Sequence, residues 1–335
     1  MAGRKTGGHG PADSSVAGLI TRCTSVLEHS VVCFGHGTDN ARDEAAALVF
    51  HVLGLDHADA RRAYELPVSE TGQQQVAAML EARISTRRPL PYLTGEAWFA
   101  GLPFHVDERV LVPRSPFAEL IMTRFEPWLD PAGVRRILEI GTGSGCMAIA
   151  CALAFPESTV VATDISAAAL EVAQRNVARH EVADRVQLLE ADLYAGVSGR
   201  FDLIISNPPY VSPEEVAALP DEYRHEPVLA LLSAEGGMAT PAGILQHATQ
   251  FLTADGWLAL EVGGGAALLE ARFATLPFIW PEFEHGGDGI VLADEIETGG
   301  GERAQSATIV DVRPAGAASV SSDDGPGEDD GGGRL

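Results

Sequence analysis

The sequence predicts an α/β fold: a doubly wound, mostly parallel sheet with an antiparallel last hairpin, preceded by a small helical domain. Three observations predict it. An apolar run, Ile137-Leu138-Glu139-Ile140, leads through a glycine-rich loop into a good helix, Cys146 to Phe155, and a second strand then ends at Asp164. A later apolar strand, Phe201 to Ser206, is stopped by Asn207-Pro208-Pro209-Tyr210. Upstream of about residue 88, apolar residues recur at helix spacing instead of alternating.

Taken in order, residues 1–14 are rich in Gly, Pro, Ser and charge and read as a disordered leader. Residues 15–88 read as helices. Val16, Leu19 and Ile20 form one stripe, Ala45, Leu48, Val49 and Val52 a second, and Val76, Ala77, Leu80 and Ile84 a third. His51 and His57 are isolated and read as structural. Residues 89–114 read as a β-hairpin linker turning at Ala100-Gly101, and a helix is expected from near Ser115 with Pro116 in its first turn. Residues 115–297 carry the sheet. Its strands are expected to end at Gly141, Asp164, Asp192, Asn207 and Gly263, with Ser166 capping a helix over 167–179 and a further helix over 243–253. Phe278-Ile279-Trp280 and Gly289 to Leu292 read as the two limbs of a closing hairpin around His285-Gly286-Gly287-Asp288. Residues 298–335, glycine-rich and acidic, read as a disordered tail.

The chemistry concentrates in two loops. Pro208 and Pro209 have no backbone N–H, so the strand before them must end at a rigid loop at its carboxyl end, where open α/β sheets bind ligands. A planar –NH2 group has two donors and a delocalised lone pair. The Asn207 side-chain carbonyl and the Pro208 backbone carbonyl suit those two donors, and Tyr210 offers a flat face for stacking. A plain Asx-Pro turn closing a strand is the structural alternative. The glycine loop decides between them. Gly141-Thr142-Gly143-Ser144-Gly145 follows a strand and opens a helix, and Asp164 lies at the right distance to grip ribose hydroxyls. The dinucleotide fingerprint needs glycine at position 146, where Cys146 stands, so the loop suits a ligand without a pyrophosphate, such as S-adenosylmethionine. Its methyl-sulfonium is the electrophile that an amide at Asn207 needs.

These motifs resemble class I methyltransferases with an Asn-Pro-Pro-Tyr motif, and more closely the HemK family of protein glutamine N5-methyltransferases. Val112-Pro113-Arg114-Ser115-Pro116, Asp221-Glu222-Tyr223-Arg224-His225-Glu226-Pro227 and Gly286-Gly287-Asp288-Gly289 resemble its PrmB subgroup, which methylates the large-subunit ribosomal protein L-three. The resemblance spans roughly residues 40 to 293 and leaves out the tail. It implies a substrate-recognition role for residues 15–88 and donor binding by Gly141, Thr142, Gly143, Gly145, Asp164, Asp192 and Asn207, with Asp192 at the adenine amino group. Asn207, Pro208, Pro209 and Tyr210 are the implied catalytic residues, with no metal. Arg114 reads either as part of the substrate channel or as a surface ion pair. The long polar insertion from Pro213 to Pro227 reads as a lid, with Glu222, Arg224 and Glu226 either solvated or recognising substrate. The sister subgroup, which methylates release factors, carries Pro and then an acid where Ser115-Pro116 stand.

Composition narrows the partners. The net charge is −24, and Lys5 is the single lysine. Such acidity argues against a nucleic-acid amino methyltransferase, the reading that a planar –NH2 acceptor otherwise leaves open, and favours a basic ribosomal protein as acceptor. No apolar run reaches membrane-spanning length and no signal sequence is legible. Cys23, Cys33, Cys146 and Cys151 form no C-x-x-C pair and read as reduced thiols, in keeping with the cytoplasm.

Overall fold

The computed structural model describes residues 14–56, 59–284 and 289–294, all within the compact unit Met1–Gly300. The expected leader apart from Ser14, the turn residues 285–288, His57 and the expected tail lie outside the described residues.

The amino-terminal helices start where capping side chains allow. Ser15 Oγ accepts from Gly18 N to open α1 (Val16–Glu28), Asn40 caps α2 (Ala41–Leu53), and Ser69 Oγ accepts from Gly72 N to open α4 (Glu70–Thr86), after the single turn α3 (Ala60–Ala63). Val16, Leu19, Ile20, Leu48, Val49, Val76 and Leu80 share one core. The stripe expected on α4 needs correction. Ala77 is exposed and Ile84 half-buried, and the buried face continues instead through Arg83, which is 0% exposed. A cation can sit there because its guanidinium meets Glu44 at 2.8 Å, Glu222 at 3.2 Å and the Cys33 carbonyl at 2.8 Å.

After the short α5 (Leu90–Thr94), strands β1 (Glu96–Phe99) and β2 (Leu102–His105) pair antiparallel around Ala100 and Gly101, both at positive φ. Helix α6 (Phe117–Met122) starts two residues later than expected, and Pro116 stands at its cap. Ser115 Oγ accepts from Phe117 N, taking the place of the missing turn.

The main sheet has the order β5-β4-β3-β6-β7-β8. Strands β3 (Arg136–Ile140), β4 (Thr159–Asp164), β5 (Val186–Glu190), β6 (Phe201–Ser206) and β7 (Leu252–Glu261) run parallel, and β8 (Ile290–Ala293) runs antiparallel against β7. Helices cover both faces, which explains the near-continuous apolar strands. Ile137, Leu203 and Ile205 face α7 (Cys146–Ala154), while Leu138, Ile204 and Leu260 face α10 (Ala239–Ala248). Ser166 caps α8 (Ala167–Arg179) as expected. Helix α10 begins and ends earlier than expected. Pro241 lies in its first turn, where no N–H is needed, and Leu252 already belongs to β7. The closing hairpin also differs. Pro277 and Pro281 flank Phe278-Ile279-Trp280, which forms only an isolated bridge, Ile279 to Leu292. No helix among the described residues is long and apolar enough to cross a membrane.

The 213–227 insertion folds as α9 (Pro213–Ala218) and a 3-10 turn over Asp221–His225. Arg224 is exposed, but Glu222 and Glu226 are not solvated: they are 0% and 3% exposed. Arg87 donates to both Glu222 oxygens and Arg114 to both Glu226 oxygens. Burial works against both charges. The Arg87, Cys33 N–H and Arg83 donors at Glu222, and the His36 and Arg114 contacts at Glu226, outweigh it and hold each carboxyl at about 2.

Candidate active site

Strand order reverses between β3 and β6, and both chemistry-bearing loops leave the carboxyl ends of those two strands. The loops lie side by side: a Cβ at Gly141 would sit 4.0 Å from the Asn207 carbonyl, and at the strand ends Ser206 Oγ donates to the Ile140 carbonyl at 2.7 Å. Gly141, Gly143 and Gly145 take φ of +75°, +53° and +80°, a run that side chains with a Cβ resist. Gly141 N and Thr142 N both donate to the Thr163 carbonyl at 2.8 Å, which locks the loop onto β4. A Cβ on Gly145 would press on Ala173 at 3.2 Å, whereas Gly143 has open space at that position.

A cavity of about 260 Å³ opens between the loops. Of the residues expected from the sequence, Gly141, Thr142, Gly143, Asp164, Asp192, Asn207, Pro208 and Pro209 line it. Gly145 and Tyr210 are not among its lining residues. Asp164 accepts from Gly143 N and Ser166 N, each at 2.8 Å. Burial raises its carboxyl pKa against those bonds. Among the described residues the Asn207 carboxamide and the Pro208 carbonyl make no hydrogen bond. Tyr210 Oη donates to Glu261 Oε1 at 2.8 Å, and its ring lies so close to Gly263 that a Cβ there would meet Tyr210 Cε2 at 2.6 Å.

Arg114 and three residues not expected from the sequence, Glu139, Ile165 and Glu261, line the cavity or bond to the Asn207–Tyr210 loop. Glu139 lines the cavity at 1% exposure and accepts from Thr142 Oγ1 at 2.6 Å. Burial pushes its carboxyl up to about 8. An acid inside an apolar strand, two residues before the glycine loop, was a legible signal of it. Ile165 is an exposed apolar side chain on the lining beside Asp164. Glu261 carried a similar signal to Glu139, an acid at the end of the apolar β7. Arg114 lines the cavity and is fixed by Glu226, with its guanidinium 5.4 Å from the Tyr223 ring centre. Among the described residues no cluster of His, Cys, Asp or Glu is arranged to hold a metal.

Comparison with known proteins gives consistent matches. The Methyltransferase small domain matches residues 119–221 and the PrmC N-terminal domain matches residues 27–95. A ribosomal protein uL3 glutamine methyltransferase from Bordetella pertussis is 44% identical over 276 residues, 82% of this chain and 93% of that protein. One from Xanthomonas campestris is 45% identical over 282 residues, 84% and 91% respectively. A methyltransferase structure from Pyrococcus furiosus aligns at 24% identity over 58% of this chain and 89% of that one, with a TM-score of 0.44. With relatives at that identity spanned almost end to end, the chain belongs to the ribosomal protein uL3 glutamine methyltransferase family.

Proposed function

We propose that this enzyme transfers a methyl group from S-adenosylmethionine to the side-chain nitrogen of a glutamine in ribosomal protein uL3. The observation that supports the reading is a pair of acceptors without a hydrogen-bond partner among the described residues, the Asn207 carboxamide oxygen and the Pro208 carbonyl, in a loop beside the glycine loop at the strand crossover. Two acceptors match the two N–H donors of a carboxamide and leave its lone pair free to point elsewhere.

The residues present fit the donor. Gly143 has open space where a side chain would otherwise intrude, and Asp164, Asp192 and Glu139 line the cavity with carboxyl groups suited to hydroxyl, amino and ammonium groups. Gly141, Thr142 and Gly143 would hold it, with Gly145 keeping the loop on α8. When bound, it supplies a methyl carbon made electrophilic by a sulfonium. The protein's part is positioning. Asn207 and Pro208 hold the acceptor nitrogen in line with that carbon, and the proline-rigid loop keeps the geometry before the acceptor arrives. No covalent enzyme intermediate is needed. In this reading residues 15–88 recognise substrate, 89–114 link, and 115–297 form the catalytic domain. The acceptor is a basic protein met in the cytoplasm, and no nucleic acid is touched.

The test offers purified uL3 and a release factor side by side at equal concentration. A single mass gain of about 14 Da on uL3, one methyl from one positioned transfer, is the expected result. Faster modification of the release factor would move the enzyme to the sister subgroup. Methylation of RNA or DNA instead would overturn the glutamine reading.

A further inference from the structure

Glu261 is the last residue of β7, paired with Ile290 of β8 and one position beyond the Ser206–Leu260 pair that joins β7 to β6. Its side chain is buried, with 5% of the residue exposed, and both oxygens are engaged. Oε1 accepts from Tyr210 Oη at 2.8 Å and Oε2 accepts from Ser115 Oγ. Ser115 Oγ in turn accepts from Phe117 N at 3.2 Å, so it is held on both sides. One carboxylate therefore ties together the end of β7, the Asn207–Tyr210 loop and the segment that leads into α6.

Packing alone does not account for this arrangement. Burial raises the Glu261 carboxyl pKa against the two hydroxyl bonds and the more distant Arg114 charge, so a carboxylate here is costly compared with an amide or an apolar side chain of similar size. What the carboxylate gives is polarity. When ionised it only accepts, so both hydroxyls must donate to it. The Tyr210 hydroxyl proton is thereby committed to Glu261, and its ring is pinned at one end by Glu261 and on one side by Gly263. Ser115 stands on a wall shared by the catalytic cavity and a second cavity of about 440 Å³ bounded by Gly35, Asp39 and Trp98. Glu261 thus fixes both the tyrosine that follows Asn207-Pro208-Pro209 and the partition where the two cavities meet. Neither contact reaches the glycine loop.

We infer that Glu261 is a positioning residue for the acceptor: by holding Tyr210 and Ser115 at once, it sets the acceptor side of the site and leaves the donor side untouched. The inference rests on the glutamine-acceptor reading above. Glu261→Gln keeps the shape but gives one oxygen and one –NH2, which cannot accept from both hydroxyls.

The experiment is a set of mutant cycles on the full chain, using Glu261→Gln, Tyr210→Phe and Ser115→Ala. The acceptor kcat/KM, donor affinity by calorimetry and Tm are read for each. Glu261→Gln is expected to lower the acceptor kcat/KM about tenfold or more, the scale of one hydrogen bond to a charged partner, with donor affinity unchanged. Combined with Tyr210→Phe it should cost less than the two separate losses together, because the bond is already gone. Additive losses, or parallel falls in donor affinity and acceptor kcat/KM, would overturn the inference. If Glu261→Gln does not fold, the Tyr210→Phe and Ser115→Ala pair gives the same decision, since both act through Glu261 and should again be less than additive. A wild-type chain that binds donor yet methylates no glutamine refutes the parent reading and this inference with it. A wild-type chain that turns over with additive mutants refutes this inference alone.

Discussion

Glu139 is a titrating group that lines the cavity between the two loops. Burial raises its carboxyl to about 8, against about 4.3 in an unfolded chain. Between those values the folded protein holds a proton there that the unfolded chain has lost. Stability without ligand therefore falls as pH rises through that window. Glu139→Gln should flatten the decline, and Tm measured from pH 5 to 8.5 checks it; a variant with an unchanged slope would contradict the assignment. A cationic donor favours the ionised form, so donor binding below pH 8 should release a proton, readable by calorimetry in buffers of different ionisation heat. Residues that act through the backbone were legible in the sequence. Positive-φ glycines and a double proline state their own geometry, and so the glycine loop and Asn207-Pro208 were visible. Side chains whose partners are remote were not. Nothing local connects Glu261 to Ser115, 146 positions earlier.

The insertion after β6 shows the same limit for a whole element. Its length and polarity suggested a lid whose acids are either solvated or recognise substrate. Its carboxylates instead plug into cations and N–H groups on segments far back in the chain: Glu222 into Arg83, Arg87 and Cys33 N, and Glu226 into Arg114 and Val112 N. Glu222→Ala should destabilise the protein by about 3 kcal/mol, the scale for breaking a buried pair, because Arg83 stays fully buried with Glu44 as its one remaining carboxylate. Denaturant titration checks it, and a loss within 0.5 kcal/mol, the ordinary range of a surface change, would contradict it. Both carboxyls are depressed to about 2, so their contribution is complete above about pH 4.3 and is lost as pH falls towards 2. Strand and helix types were legible because period and burial agree. The ends of α10 and the first limb of the hairpin were not, since Pro241 hides a helix start and two prolines leave Ile279 only a bridge.

At the scale of the molecule, sequence and fold converge on one crossover. Reversal of strand order between β3 and β6 brings together loops more than sixty residues apart. Net charge acts at longer range. A chain of charge −24 should attract a basic acceptor, and that attraction is screened over about 10 Å at 0.1 M salt. The acceptor kcat/KM should fall as salt rises while kcat changes little. An acceptor kcat/KM independent of salt would remove charge steering from the account.

The central claim is a division of labour, with the glycine loop for the donor and Asn207 with Pro208 for the acceptor. Asn207→Ala tests it most directly, with donor affinity by calorimetry and single-turnover methylation of uL3 measured on the same preparation. Turnover should fall by on the order of 10² or more, as when a preorganised polar contact is removed, with donor affinity held within about threefold. Near-normal turnover, or a loss of donor affinity as large as the loss of turnover, would contradict it.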